Sequence, residues 1–73
     1  MDTLENWIKK INAKKIENNV FYIGEQDIQI NECCVICAVD SITIDDNVVL
    51  FKQNNGYLTA TFLINSINRI ELN

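Results

Sequence analysis

Apolar residues near the start of the chain recur with the spacing of an α-helix. They occupy positions i, i+3, i+4 and i+7, which lie on one helix face. These apolar positions are Leu4, Trp7, Ile8 and Ile11. Acids lie near the start of this stretch and lysines near its end, so the side-chain charges complement the helix dipole. The pattern predicts one amphipathic helix over about residues 3–14.

The rest of the chain consists of short β-type runs separated by turn residues. Asn55-Gly56 is the strongest short hairpin signal, and Asp45-Asp46-Asn47 can supply a second tight turn. The runs cover 20–30 with an interruption at 24–27, then 33–44, 48–53, 57–64 and 67–72. We predict that residues 1–73 form one mainly β domain with one N-terminal helix. The expected architecture is a small five-stranded antiparallel bent barrel over about residues 20–72, with the helix capping one open end.

One predicted strand, 33–39, carries apolar residues on both of its faces, whereas a half-solvated strand alternates apolar with polar residues. The 57–64 run is similar. A chain of this length has little else to cover a second apolar face. We therefore predict a homo-oligomer, although a bent strand could instead contribute both faces to one core. The predicted interface residues are Cys33, Val35, Cys37, Val39 and Leu63.

Charge and composition exclude several kinds of function. Ten acids against six bases leave a net charge of −4, which disfavours general nucleic-acid binding because that needs clustered Lys and Arg. The chain has no histidine, the usual side chain for acid–base catalysis near neutral pH and the commonest metal ligand. We predict that the protein is not an enzyme and has no catalytic residue, metal or cofactor.

The cysteines do not change that prediction. Cys34 and Cys37 lie in a predicted strand, where residues three apart point to opposite faces, and zinc would need two ligands more than this pair. An odd number of cysteines agrees with free thiols in a reducing compartment. With no apolar run of about 20 residues and no signal-peptide pattern, we expect a cytoplasmic protein that does not bind membranes.

A few cationic and aromatic side chains are candidates for ligand binding. Arg69 is the only arginine, and its fork suits a carboxylate or a phosphate. Lys52 can meet a phosphate, and Tyr57 or Tyr22 can stack on a base. The alternative for Arg69 is a salt bridge at the surface or at an interface.

The order of elements resembles that of Sm-like small barrels and, more broadly, SH3-like barrels. The segment 62–70, a strand, a short turn and a strand, carries most of this resemblance. It implies a bent barrel and assembly through edge strands. The RNA-contacting motifs of Sm-like proteins are missing, because Asp45-Asp46-Asn47 replaces an Asp-x-x-x-Asn loop and no Arg-Gly precedes the last strand. We therefore do not extend the RNA binding of Sm-like proteins to this chain.

These observations favour a non-enzymatic, self-assembling binding protein with a small-ligand or protein site at subunit boundaries. Small acidic chains of this kind resemble phage accessory proteins, some of which inhibit bacterial defence by sequestering a nucleotide signal or by masking a host protein. In that case the protein acts in the bacterial host cell. The alternatives are an Sm-like RNA-binding protein and an acidic protein-masking inhibitor.

Overall fold

The computed structural model of the protein describes residues 4–73, so the predicted helix start at residue 3 lies outside the described residues. Within them are one α-helix, six strands and one turn of 3-10 helix. In chain order they are α1 (Leu4–Lys10), β1 (Lys14–Glu17), β2 (Val20–Ile30), β3 (Cys34–Asp45), β4 (Val48–Lys52), β5 (Leu58–Leu63), the 3-10 turn (Ile64–Ser66) and β6 (Ile70–Leu72). The predicted mainly β fold with one N-terminal helix is confirmed.

Helix α1 ends at Lys10, earlier than the predicted residue 14. Asn12 adopts a left-handed φ of 62°, which asparagine tolerates at a helix end. The N–H of Asn12 donates to the carbonyl of Lys9 (3.0 Å), and the N–H of Ala13 donates to that of Ile8 (3.3 Å). This pair of hydrogen bonds is a Schellman motif, which satisfies carbonyls at the helix end. The chain then enters β1, a strand that the sequence pattern did not predict.

The strands form one antiparallel sheet in the order β1-β2-β3-β4-β5, and β6 pairs with the end of β2. Both predicted hairpins are present, with Asp46 (φ 54°) and Gly56 (φ 84°) in left-handed conformations at their turns. The last strand begins at Ile70 and not at Ile67. Across residues 4–73 no pairing joins β5 to β6, so the sheet bends but does not close into a barrel.

Left-handed residues in β2 and β3 accompany the bend. Gly24 (φ 80°) and Glu25 (φ 51°) fall where the register with β3 shifts, between Tyr22 and Gln26. Ala38 in β3 has a φ of 54°. The interruption at 24–27 is therefore a bulge within one continuous strand. Before it, β2 pairs with β1, and after it β2 pairs with β6.

The hydrophobic core is built from the inner side of this bent sheet and from α1. It is almost entirely aliphatic, and none of residues 4–73 with a polar or charged side chain is fully buried. The buried residues are Ile8, Ile11, Ile23, Ile28, Ile30, Ile36, Val39, Ile42, Val49, Phe51 and Ile70. Each large aliphatic side chain buried here contributes about 1.5–3 kcal/mol.

The left-handed conformation of Ala38 also corrects the predicted oligomer interface. Regular alternation would place Val39 on the same face as Val35 and Cys37, but Val39 is 0% exposed in the core. The positive φ at Ala38 interrupts the two-residue alternation, so that Ile36 and Val39, three residues apart, both face inward. Val39 is thus not available to a second copy. The other four predicted interface residues, Cys33, Val35, Cys37 and Leu63, are exposed.

The connection into β6 is held by one asparagine side chain. Asn31, at the end of β2, accepts hydrogen bonds at Oδ1 from the N–H groups of Asn68 (2.8 Å) and Arg69 (3.3 Å). Its Nδ2 donates to the carbonyl of Ser66 (2.7 Å), and its backbone N–H donates to the carbonyl of Arg69 (2.9 Å). Asn31 therefore fixes residues 66–69, the segment that leads into β6.

Candidate functional site

An open groove of about 290 Å³ lies where the sheet bends. Glu25 of β2 and Ala38 of β3 line one part of it, and Gln53, Asn54 and Asn55 of the β4–β5 turn line the rest. Its volume is near the lower end of the range of small-ligand pockets. The groove joins elements that are distant in sequence, so only the folded sheet creates it.

The two strand residues of the groove have unusual backbone conformations. Glu25 and Ala38 both have positive φ, although neither is glycine. The Asp27 carboxylate supports this arrangement, because its Oδ1 accepts the N–H of Ala38 at 2.9 Å. Bulges and left-handed non-glycine residues concentrate at functional sites, since the surrounding structure must hold them in place. The groove is therefore the strongest candidate site among the described residues.

The turn that forms the other wall is also held by hydrogen bonds. The N–H of Gln53 donates to the carbonyl of Tyr57 (2.8 Å), and the N–H of Gly56 donates to the carbonyl of Gln53 (2.9 Å). Asn55 Oδ1 accepts the N–H of Tyr57 at 2.9 Å. These bonds fix the backbone of the turn and the side chain of Asn55 before any ligand arrives, which reduces the entropy lost on binding.

The chemistry of the groove is that of amides with one carboxylate. Gln53, Asn54 and Asn55 each carry a carbonyl acceptor and an NH₂ donor, and Glu25 adds a negative charge. None of the described residues that line the groove is cationic. Such a surface suits a ligand with several hydrogen-bonding edges and little negative charge.

Three of the four predicted ligand residues are brought to this end of the sheet. Tyr22 is the cross-strand partner of Ser41, and Ser41 is the partner of Lys52, so all three share one face of the sheet. Lys52 in turn pairs with Leu58, next to Tyr57. The ring of Tyr22 lies against Gly24, where a Cβ would come within 3.4 Å of the tyrosine hydroxyl.

Arg69 does not join this group. It follows the 3-10 turn and lies at the far end of β2, where its Nη2 donates to the carbonyl of Asn31 (3.2 Å). Its Nε lies 3.1 Å from Oε1 of Glu71, an ion pair whose geometry is not that of an aligned hydrogen bond. The structure therefore gives Arg69 contacts within its own chain, as in the salt-bridge alternative.

Glu25, Ala38 and the three amide residues were not predicted as site residues. Their only signals in the sequence were the interruption at 24–27 and the Asn-Asn-Gly turn, each of which also has an ordinary structural explanation. The three cysteines are free, with Cys33 and Cys37 exposed and Cys34 half-buried. Across residues 4–73 no group of three or more metal-ligating side chains is placed to hold a metal ion.

Comparison with protein-family models, with curated proteins and with solved structures gives no match to this chain. The class of protein defined by fold and site is thus a small, mainly β antiparallel protein with one helix and a polar groove at its bend. No helix in the described part of the chain has the length and apolar character needed to cross a membrane.

Replacing Ala38 with glycine is expected to raise the free energy of unfolding by about 0.5–1 kcal/mol. Glycine removes a left-handed penalty of about 1–2 kcal/mol, partly offset by its larger entropy loss on folding. Ala60→Gly in strand β5, where φ is not positive, is the matched control and should lower stability by at least about 0.5 kcal/mol. Urea unfolding measures the free energy of unfolding of both variants. A loss of stability in both variants would contradict the assigned backbone conformation.

Proposed function

We propose that this protein is a non-enzymatic binding module that associates with further copies of itself and takes a small, nucleoside-like ligand in the groove at the sheet bend. The observation that carries the proposal is the groove itself, with three amide side chains and two left-handed strand residues. Its turn leads directly into β5, which is the last strand in the order of the sheet. Groove and free edge are therefore neighbours, and the ligand site lies beside the boundary between subunits.

The amide groups and tyrosines favour the base portion of such a ligand. Nucleobases present donors and acceptors on their edges, which Asn and Gln side chains match, and a flat face on which Tyr57 can stack. Tyr57 is 65% exposed and follows the turn that lines the groove. Lys52, which directly precedes Gln53, is the cation nearest in sequence to the groove and can meet one phosphate. The carboxylate of Glu25 opposes the binding of a second phosphate.

The task that we assign to the protein is sequestration of such a ligand, as a phage-type inhibitor of bacterial defence that acts in the host cytoplasm. The small acidic chain supports this part of the proposal by analogy. We further propose an Sm-like or SH3-like relationship for the fold. It is supported by the long bent strands β2 and β3, the 3-10 turn before the last strand, and the return of β6 to pair with β2.

Calorimetric titration with nucleosides, mononucleotides and cyclic nucleotides tests the ligand proposal. Binding should be measurable for at least one of them, and Tyr57→Ala should weaken it at least about tenfold through lost stacking. Glu25→Gln should strengthen binding of the phosphorylated members and leave the nucleosides nearly unchanged. Lys9→Ala, on the exposed side of α1, is the control and should have no effect. No heat with the whole panel, or full affinity in Tyr57→Ala, would reject the proposal.

A further inference from the structure

Among the terminal strands of the sheet, β5 is the one best suited to pair with another chain. Edge strands are usually protected by charged side chains, above all lysine. Strand β1 carries Lys14 and Lys15, and β6 has only three residues, including Glu71. Strand β5 has six residues and no charge, and its Leu58 and Leu63 are 46% and 57% exposed. Its edge is therefore neutral, apolar and unprotected.

The charge distribution along the chain indicates which partner fits this edge. The whole chain has a net charge of −4, so two copies repel each other over most of their surface. The segment 47–70, which contains β4 and β5, has no Asp or Glu and carries Lys52 and Arg69. This segment is the longest stretch of the chain without an acidic residue, and residues 6–16, the next longest, carry four lysines that would repel those of a second copy.

The hydrogen bonds of the β4–β5 ladder show which backbone groups of β5 are unused. The N–H of Ile64 donates to the carbonyl of Asn47 (2.8 Å), and Val48 is the partner of Leu63. Because hydrogen-bonded and non-hydrogen-bonded pairs alternate in an antiparallel ladder, Phe62 and Ala60 direct their backbone groups to β4. Thr61 and Leu63 then direct theirs away from the sheet. The side chain of Thr61 is also exposed, on the outer face.

We propose that two copies pair through β5 as antiparallel strands about a two-fold axis at Thr61. This inference rests on the self-association in the proposed function and names its geometry. In this arrangement each Thr61 forms both of its backbone hydrogen bonds with Thr61 of the other copy. Each copy therefore uses only its β5 edge. A β5–β6 arrangement would instead set Thr61 against a strand that contains Glu71. The antiparallel pairing also brings the start of each β5, next to the groove, beside the end of the other.

Charge substitutions at Thr61 test this geometry. Thr61→Lys and Thr61→Glu each place like charges directly opposite one another across the axis, so each should raise the dissociation constant of the dimer at least about tenfold. Mixing the two variants should restore association as a heterodimer, since opposite charges then face each other. Thr61→Val, which keeps the backbone and adds no charge, is the control. Light scattering and native mass spectrometry give the masses, and circular dichroism checks the fold.

Disulfide trapping provides a second, independent measurement. With Cys33 and Cys37 replaced by serine, Thr61→Cys should form a covalent dimer on mild oxidation, because paired Cα atoms about 5.5 Å apart suit a disulfide. Lys9→Cys, on the exposed side of α1, should not be trapped as a dimer.

The outcomes separate this inference from the proposed function. Rescue on mixing together with trapping at position 61 supports the two-fold pairing. An oligomer that survives Thr61→Lys, or is lost without rescue on mixing, rejects the two-fold geometry and leaves self-association standing. A monomer at every concentration tested rejects both the pairing and the self-association, whereas the ligand titration still stands as a separate test of the groove.

Discussion

Replacing Phe51 with alanine is expected to leave most of the protein unfolded at room temperature. Phe51 is 0% exposed and contacts Phe62 edge-on, with ring centroids 5.7 Å apart and planes at 88°. Truncating such a side chain costs about 3–5 kcal/mol through lost burial and the cavity left behind. A core of this size rarely supplies more than about 3–5 kcal/mol in total. Far-UV circular dichroism should therefore show little remaining β-signal.

Two variants control this prediction. Phe51→Leu keeps most of the volume and should retain a cooperative urea transition, with a loss of no more than about 1.5 kcal/mol. Ile16→Ala removes a side chain that is 59% exposed and lies outside the proposed interface, so it should change stability by no more than about 0.5 kcal/mol. A Phe51→Ala protein that unfolds cooperatively within about 1 kcal/mol of the original would show that the core does not depend on this ring.

Asn31→Ala is expected to lower the free energy of unfolding by about 2–3 kcal/mol. The substitution removes three side-chain hydrogen bonds to the segment before β6, each worth about 1 kcal/mol or less at this partly exposed site. It also places alanine at a φ of 55°, which asparagine tolerates better. Strand β6 should detach from β2 first, which hydrogen exchange of the Ile70–Leu72 amides would report.

Other substitutions of Asn31 separate the effect of the lost hydrogen bonds from the effect of the left-handed φ. Asn31→Asp keeps the acceptor for the N–H groups of Asn68 and Arg69 but loses the donor to Ser66, so it should be the mildest change. Asn31→Gly loses every side-chain bond but accepts the left-handed φ, so it should fall between Asp and Ala. Equal stability of the Ala and Asp variants would mean that Asn31 does not anchor β6.

Much of the local structure could be predicted because its causes are local. The helical spacing from Leu4 to Ile11, the two hairpin turns and the β-type runs each depend on residues close together in the chain. Asn12 as a helix terminator and Asn31 as an anchor were missed. Asparagine is common in turns of many kinds, and its role here depends on a left-handed φ and on partners as distant as Arg69.

The candidate site was harder to predict because it also depends on contacts between residues that are distant in the chain. Tyr22, Lys52 and Tyr57 were named from side-chain chemistry, and antiparallel pairing brings them to one end of the sheet. Arg69 was named by the same reasoning, but the 3-10 turn carries it to the opposite end and beside Glu71. Side-chain type can suggest a ligand, but it does not indicate which candidate residues lie on the same surface.

Hydrophobic periodicity and turn chemistry thus predict the elements of this protein apart from β1, because both act over a few residues at a time. The inward position of Val39, the groove between Glu25 and Asn55, and the free edge at Thr61 depend on long-range pairing and on the positive φ of Ala38. A single left-handed residue changes which side chains face the core, and nothing in the sequence near Ala38 marks it as such a residue. These features therefore follow from the folded sheet and not from any local pattern.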